Sequence, residues 1–414
     1  MRIAMFSDCY FPRVNGVVVS VYSYTQELIK RGHNVCIISV EYPEEYLFGN
    51  GIDAAGGIIN NPNFKMIRVP SQSVIFSKED RLARVEQWFF VKKKMDEYKP
   101  DIIHINSEFI VGYFGAMYAR HRRIPSIFTF HTMWEDYIYN YAPLLTKNFS
   151  HKLGRDLVKF YLKSADHILV PTPRIAATVK EYGVDTEVDL LPTGIPEDLF
   201  IHTDKQTEAI NDAVYLEFPE TYGKRKLLFA GRVAKEKNLD FLLFVLTRIN
   251  ELMAGKEEVI LLLAGDGLYM NEFKSKAEKM GLSDKIFYVG YIERPQLAVL
   301  YKAAEIFVFP SKTETQGLVT AEAMFAGIPV VAIGEMGTVD VMQGDNGGYM
   351  VPEDVEIFSK RVYELLTNKK LYEEKSKEAK EWSMQWTISS LTKKLEASYA
   401  KCIEIFKNKH KQME

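Results

Sequence analysis

The chain has 414 residues, which is long enough for two domains that each bury a core. Lysine and arginine number 52 against 55 acidic residues, so the formal charge is −3 and no polyanion-binding field is expected. Hydrophobic residues make up 47% and charged residues 26%, which excludes a disordered or low-complexity protein. The cysteines at positions 9, 36 and 402 form no C-x-x-C pair and are typical of a reducing compartment.

Short apolar runs alternate with longer amphipathic stretches along the chain. Because the runs are rich in Ile, Val and Leu without alternation, they predict strands buried on both faces of a parallel sheet. The predicted strands lie at 3–7, 35–40, 66–69, 102–105, 126–130, 167–170, 188–191, 227–231, 259–265, 286–290, 306–310 and 329–333. Amphipathic helices are predicted between them, at 16–31, 83–98, 237–254 and 353–366 among others. This alternation predicts an α/β fold with doubly wound sheets.

One polar stretch, residues 194–225, interrupts this alternation and is rich in turn residues. We interpret it as the linker between a first domain at 1–194 and a second domain at 195–380. Residues 381–414 are helical by composition and are expected to cross back to the first domain. Two such sheets facing a central cleft would bind ligand beyond the carboxyl ends of their strands.

The segment FPSKTETQGLVTAEAMFAGIPVVA, residues 309–332, carries the most specific pattern. A strand is followed by a polar loop with Glu314, and Gly317 then opens a helix that has Glu322 in its second turn. Both carboxylates could face one ligand at the amino end of this helix, where free N–H groups favour a phosphate. Gly317 would let the backbone approach that ligand closely.

The segment FAGRVAKEKNLD, residues 229–240, places Arg232 at the end of a strand and Lys237 at the start of the next helix. Two cations there could offset the charge that develops on a departing diphosphate. AGDGLY at 264–269 has neither the G-x-G-x-x-G fingerprint nor a Walker lysine, so dinucleotide and P-loop chemistry are not supported.

Three features of the first half are candidates for ligand contact or for the core. Asn15-Gly16 falls at a predicted helix start and could cradle a phosphate or a sugar. His131 ends a buried strand in FTFHTMWEDY, residues 128–137, where residues of a cleft would sit. His104 also ends a strand, and we interpret it as a core histidine.

These motifs resemble those of a known family of enzymes, and the resemblance extends over nearly the whole chain. Residues 309–332 resemble the E-x7-E motif of the retaining GT-B glycosyltransferases that use nucleotide sugars. Residues 128–137 resemble the H-T-x-x-E-D-Y motif of the branch that glycosylates diacylglycerol, the 1,2-diacylglycerol 3-glucosyltransferases or monoglucosyldiacylglycerol synthases. The resemblance implies a GT-B fold of two Rossmann-like domains and no essential metal, and the sequence has no D-x-D triplet of the metal-dependent GT-A class.

The resemblance also implies roles for individual positions. Glu314 would contact the donor sugar and Glu322 the ribose hydroxyls of the nucleotide, while Arg232 and Lys237 would hold the donor diphosphate. His131 would hydrogen-bond the donor sugar or help to place the acceptor. Further contacts with the donor are expected at Gly16, Ile292, Gly317, Leu318 and Val319. The sequence departs from the family's G-x-G-P segment, since Leu268 replaces the proline.

The implied activity is retaining transfer of a hexose, expected to be glucose, from a UDP-sugar to a membrane lipid hydroxyl, expected to be that of 1,2-diacylglycerol. The departing phosphate would take the acceptor proton in a front-face displacement. Other readings stay open: a transferase of the same fold with another lipid or a soluble acceptor, a nucleotide-sugar epimerase or phosphorylase, and a two-domain sugar-binding carrier. No nucleic-acid partner is expected.

Two basic–aromatic segments, near 75–99 and 147–163, predict contact with an anionic membrane surface. The alternative is that both are ordinary core-facing helices with solvated lysines. No apolar run approaches the ~18 residues that span a bilayer, and the amino terminus is interpreted as a first strand instead of a signal peptide. We therefore expect a cytoplasmic protein attached peripherally to the cell membrane.

Overall fold

The computed structural model describes residues 1–43, 60–74, 77–131, 147–184, 186–200 and 218–411, with the backbone alone at 77–79, 147–151 and 153. The chain forms two compact units. The first contains Met1–Gly194 and Ile388–Glu414, and the second contains Ile195–Thr387. The chain thus leaves the second unit later than the expected boundary at 380.

The first unit is built on a parallel sheet. Its strands are β1 (Arg2–Phe6), β2 (Asn34–Val40), β3 (Phe64–Val69), β6 (Ile102–Ile105), β7 (Ser126–Thr129), β8 (His167–Val170) and β9 (Val188–Leu190), with β4 (Ser71–Val74) and β5 (Ser77–Ala83) forming a separate antiparallel pair. The sheet order is β3-β2-β1-β6-β7-β8-β9. Because the central strands are buried on both faces, their apolar runs were recognisable in the sequence.

The helices of the first unit cover the two faces of this sheet and follow most of its strands. They are α1 (Gly16–Lys30), α2 (Trp88–Tyr98), α3 (Ile110–Arg122), α4 (Lys147–Ser164), α5 (Pro173–Glu181) and the C-terminal helix (Ile388–Lys411). The helix expected over 83–98 begins only at Trp88, after the short 3-10 turn Val85–Gln87.

The C-terminal helix returns to the first unit and packs on its core through Leu391, Leu395 and Tyr399. The Tyr399 hydroxyl lies 2.7 Å from Nδ1 of His104, whose Nε2 lies 2.7 Å from Thr129 Oγ1. His104 is therefore a buried histidine with both ring nitrogens partnered, which confirms its predicted core role. Burial lowers the pKa of His104 to about 3.

The second unit is built on a six-stranded parallel sheet. Its strands are β10 (Arg225–Ala230), β11 (Val259–Ala264), β12 (Ile286–Gly290), β13 (Ile306–Phe309), β14 (Val330–Ile333) and β15 (Gly348–Val351), in the order β12-β11-β10-β13-β14-β15. The helices are α6 (Leu239–Leu252), α7 (Met270–Lys279), α8 (Arg294–Ala303), α9 (Leu318–Phe325), α10 (Gly337–Met342), α11 (Val355–Thr367) and α12 (Lys369–Ser383). The strand order reverses at β10, which has β11 on one side and β13 on the other. Parallel α/β sheets bind ligands at such a reversal, beyond the carboxyl ends of the strands.

Within the described ranges, no helix combines the length and the apolar character that crossing a bilayer requires.

Candidate active site

Two loops lie side by side at the carboxyl edge of the second sheet, because β10 and β13 are neighbouring parallel strands. The first loop, residues 231–238, joins β10 to α6, and the second, residues 310–317, joins β13 to α9. The hydroxyl of Thr313 donates to the carbonyl of Glu236 over 3.3 Å, so the loops touch. They carry four of the residues that the sequence assigned to the donor: Arg232, Lys237, Glu314 and Gly317.

Lys237 and Glu314 meet directly across these loops. The Lys237 Nζ donates to Glu314 Oε2 over 2.9 Å, and the two side chains are only 12% and 20% exposed. The backbone N–H of Gly337 donates to the carbonyl of Glu314 over 2.8 Å, which fixes the backbone at that position. A carboxylate and a cation are therefore held together, with little exposure to water, at the edge where ligand is expected.

Arg232 follows β10 but does not join this pair. Its side chain is 69% exposed, and its Nη2 donates to Glu236 Oε1 over 2.6 Å. The helix after Lys237 starts slightly later than predicted, because Lys237 ends a 3-10 turn and Asn238 takes a left-handed backbone conformation with φ +56°. Arg232 and Lys237 thus present their charges from different parts of one loop.

Glu322 lies in α9, where its side chain is buried, as the second glutamate of the predicted pair. Its Oε1 lies 3.3 Å from Arg294 Nη2, and its Oε2 accepts a long hydrogen bond of 3.4 Å from the Tyr301 hydroxyl. Burial raises the pKa of Glu322, whereas Arg294 and Tyr301 lower it. Sequence reasoning missed Arg294 as its partner, although the residue closes the VGYIER segment.

The position directly before α9 requires a glycine, Gly317, for two structural reasons. Its φ of +68° is in the left-handed region, and a Cβ there would lie 2.5 Å from the carbonyl oxygen of Gly337. The close approach therefore involves the protein's own backbone. Because Gly317 has no side chain to cap the helix, it leaves the first-turn N–H groups at Leu318 and Val319 uncapped by that residue.

The loops after β11 and β12 expose apolar side chains at this same edge. Leu268 and Tyr291 are both exposed, whereas Ile292 packs partly against the core of the second unit. Leu268 follows β11, the neighbour of the strand that leads to Lys237, and Tyr291 follows β12, which lies on the far side of β11. The flat face of a nucleotide base can pack against exposed apolar side chains of this kind.

The candidates of the first unit lie at the carboxyl ends of its own strands. Gly16 begins α1 as predicted, and a Cβ there would meet nothing within 4 Å, so its surroundings are open. The Oδ1 of Asn15 is occupied in capping α1, since it accepts from the Val18 N–H over 2.9 Å. His131 Nε2 lies 3.3 Å from Asn106 Oδ1, and burial lowers the pKa of His131 to about 4. Its imidazole is therefore neutral near pH 7.

Several predicted positions lie outside the described residues, and one further residue, besides Arg294, was not predicted. Thr132, Glu135, Asp136 and Tyr137 of the H-T-x-x-E-D-Y motif belong to the undescribed range 132–146. The unpredicted residue is Asp8, which directly follows the apolar run of β1. Its carboxylate accepts the backbone N–H groups of Val111 and Gly112 over 2.8 and 3.2 Å and caps α3. In the ranges that the structure covers, no three His, Cys, Asp or Glu side chains converge as metal ligands do.

The first basic–aromatic segment differs in part from its prediction. Residues 77–83 form strand β5 instead of a helix, because the chain pairs with 71–74 as an antiparallel ribbon. On α2 the buried side is Val91 and Met95, whereas Phe89 is 76% exposed.

The second basic–aromatic segment shows a similar division on α4. Val158, Tyr161 and Leu162 face the core and Phe160 is exposed. The centroid of the Phe160 ring lies 5.9 Å from that of Tyr113, an exposed residue of α3. The exposed aromatic surface of α4 therefore continues onto α3.

Comparison with known proteins matches both halves of the chain to glycosyltransferase families. Residues 217–382 match the family described as glycosyl transferases group 1, and residues 14–199 match glycosyltransferase family 4. The alpha-monoglucosyldiacylglycerol synthase of Streptococcus pneumoniae is 30% identical over 334 residues, 81% of this chain and 71% of that protein. The GDP-mannose-dependent alpha-mannosyltransferase of Corynebacterium glutamicum is 27% identical over 354 residues, 84% of this chain and 76% of that protein.

Solved structures share the architecture. Anabaena HepE in complex with UDP-glucose superimposes with a TM-score of 0.66 at 14% identity, covering 97% of this chain and 100% of that one. The two Rossmann-like parallel-sheet units are those of the GT-B fold. The chain belongs to the glycosyl transferases group 1.

Proposed function

We propose that this glycosyltransferase moves glucose from UDP-glucose to the free hydroxyl of 1,2-diacylglycerol, with retention of the anomeric configuration. The proposal of a nucleotide-sugar donor is supported mainly by the 2.9 Å contact between Lys237 and Glu314. This contact brings a phosphate-binding cation and a hydroxyl-binding carboxylate to one point, as a nucleotide sugar requires. The acceptor half is supported by the 30% identity with a monoglucosyldiacylglycerol synthase.

In this proposal the second unit binds the donor. The Glu314 carboxylate accepts hydrogen bonds from hydroxyls of the sugar, and Glu322 accepts them from the ribose. Lys237 and Arg232 lie at the diphosphate, helped by the first-turn N–H groups of α9. The backbone at Ile292 contacts the base beside Tyr291, whose ring is exposed. HepE, which shares the fold, is a structure that holds UDP-glucose.

The proposed reaction breaks the bond between the anomeric carbon and the β-phosphate oxygen and forms a bond from that carbon to the acceptor oxygen on the same face. The departing phosphate oxygen takes the acceptor's proton, so UDP and the glucolipid are the products. Lys237 and Arg232 stabilise the negative charge that grows on the diphosphate. No protein carboxylate is needed as a nucleophile in this scheme.

The first unit is proposed to serve the acceptor, with Gly16 near the donor phosphates. His131 is suited to a positioning hydrogen bond, because its lowered pKa keeps the ring neutral. A neutral imidazole can donate from one nitrogen and accept at the other. We assign it to the donor sugar or to the acceptor hydroxyl.

The acceptor is a lipid, and we propose that α2 and α4 attach the first unit to an anionic membrane. The exposed rings of Phe89 and Phe160 would enter the headgroup layer. Basic side chains accompany both rings, with Lys92 and Lys93 on α2 and the exposed Lys163 on α4. Each basic group at such a surface contributes about 1 kcal/mol, so several together give reversible attachment.

A mannosyl donor is the second candidate, favoured by the 27% identity with a GDP-mannose-dependent mannosyltransferase. One experiment separates the two: vesicles containing diacylglycerol are incubated with the protein and a single donor, UDP-glucose, other UDP-sugars or GDP-mannose. Mass spectrometry of the lipids should show one added hexose with UDP-glucose. If hexose is added only with GDP-mannose, the donor is GDP-mannose instead of UDP-glucose. If the donor is hydrolysed and no glycolipid forms, diacylglycerol is not the acceptor.

A further inference from the structure

Glu353 connects the two loops of the candidate site from a third segment, just before α11. Its Oε1 accepts from Asn238 Nδ2 over 2.6 Å, and its Oε2 accepts from Lys312 Nζ over 2.7 Å. Asn238 belongs to the loop after β10 and Lys312 to the loop after β13. One carboxylate group thus binds both loops at once.

The two residues that Glu353 holds adjoin the pair described above. Asn238 directly follows Lys237 in the chain, and Lys312 precedes Glu314 by two positions. Asn238 has φ +56° and makes no side-chain cap to α6, so its amide group is available to Glu353. Side chains that adjoin both members of the Lys237–Glu314 pair in the chain therefore bind the same carboxylate.

We propose that Glu353 is a positioning residue that sets the separation of Lys237 and Glu314. The inference rests on the proposed function for its effect on catalysis, whereas its effect on the two loops can be measured without any substrate. Glu353 would touch neither donor nor acceptor. It acts by holding the loop of the cation against the loop of the carboxylate.

Because the contacts of Glu353 are partly exposed, we expect this residue to position the two loops more than to stabilise the whole fold. The side chains of Glu353 and Lys312 are 40% and 38% exposed, and exposed ion pairs contribute little to the free energy of unfolding. Placement within a catalytic site is more demanding, since a displacement of about 1 Å can cost about 100-fold in rate. Loss of Glu353 should consequently change the loops and the rate more than the melting temperature.

Glu353→Gln tests this, because an amide has the same shape but cannot accept from both Asn238 and Lys312. Glu356→Gln is the matched control: Glu356 lies three positions later, in the first turn of α11, and pairs with Arg248 on α6, away from the two loops. Lys312→Met is a second test variant that removes the other half of the ion pair.

Two measurements are made on each variant: amide hydrogen exchange, and glucose transfer from UDP-glucose to diacylglycerol in vesicles. In Glu353→Gln and Lys312→Met, exchange at 231–238 and 310–316 should become faster than in Glu356→Gln, with an unchanged melting temperature. Transfer should fall about tenfold, mainly in kcat. Adding Lys312→Met to Glu353→Gln should lower transfer by less than about a further twofold, since the shared contact is already lost.

Loop exchange and kcat equal to those of Glu356→Gln would overturn the proposal, as would faster exchange spread evenly over the second unit. If the unmodified protein transfers no glucose, the proposed function fails, and the exchange of the two loops still decides the role of Glu353.

Discussion

The Nζ of Lys237 lies 2.9 Å from Oε2 of Glu314, which joins side chains 77 positions apart in the chain. Each group is shielded from water by the protein around it. The short charge-assisted contact orients the Lys237 ammonium group against the Glu314 carboxylate. Under the proposed function, the pair offers a preorganised cation to the diphosphate and a carboxylate to the sugar hydroxyls.

Replacing Glu314 by Gln should remove most of the transfer activity, by about 100-fold, while the fold is retained. The amide keeps the shape but offers one oxygen instead of two and no charge, both to Lys237 and to the sugar. Initial rates of glucose transfer and the melting temperature are the measurements. Glu356→Gln is the control with the same chemical change at an exposed site. Turnover near that of the control would refute the assigned role.

Replacing Lys237 by Met should lower transfer by about 100-fold or more, because one of the two cations at the leaving diphosphate is lost. The neighbouring Lys235 provides a matched control in the same loop. Its side chain is exposed and pairs with Glu272 over 3.2 Å, away from Glu314. Lys235→Met should keep nearly full activity and UDP affinity in calorimetry. Equal losses in the two variants would mean that only the general charge of the loop matters.

Most strands and the start of α9 were predictable from local sequence, whereas the partners of the candidate site residues were not. The strand β11 is a continuous apolar run that is buried throughout, so its pattern and its environment agree. The strand β15 (Gly348–Val351) was missed because it is short and begins with Gly348 directly after Gly347, and glycine is unusual in strands. Glu353 and Asn238 are 115 positions apart, and no local pattern connects them.

The error at 75–99 has a similar cause. Residues 77–83, SKEDRLA, are mostly charged, and a charged stretch before an aromatic run fits an amphipathic helix. The actual strand is stabilised by its pairing with 71–74, where Arg81 also donates to the Ser71 hydroxyl over 2.8 Å. Pairing of this kind depends on the partner strand, so the segment's own composition did not reveal it.

Changing Lys92, Lys93 and Lys94 to Ser should weaken binding to vesicles that contain anionic lipid, by about 3 kcal/mol at low salt if all three lie at the surface. The difference from the unmodified protein should shrink as salt is added, because screening acts on exposed charges. Vesicle co-sedimentation at several ionic strengths measures both effects.

The control for this variant removes three lysines from α12 in the second unit, Lys369, Lys377 and Lys380, which are exposed. It should bind the vesicles like the unmodified protein, and both proteins should bind neutral vesicles equally weakly. If the two triple variants lose the same affinity, the membrane-facing surface does not include α2.

Replacing Arg294 by Gln should make both stability and UDP binding depend on pH. Burial already raises the pKa of Glu322, and Arg294 is the first group that opposes this. Without that cation the folded protein binds the Glu322 proton more tightly than the unfolded chain does. The free energy of unfolding of the variant, relative to the unmodified protein, should therefore rise as the pH falls from about 7.5 to about 5.

UDP affinity should change in the opposite direction over the same window, because a protonated Glu322 accepts hydrogen bonds from ribose hydroxyls less well than a carboxylate does. Near pH 7.5 the variant should be less stable than the unmodified protein by about 1–3 kcal/mol, since a buried carboxylate has lost its cation. Denaturant unfolding and calorimetry with UDP at several pH values measure the two trends. Arg361→Gln is the control, because Arg361 pairs with Glu364 on α11, away from Glu322. Curves for Arg294→Gln parallel to those of this control would show that Arg294 does not set the charge of Glu322.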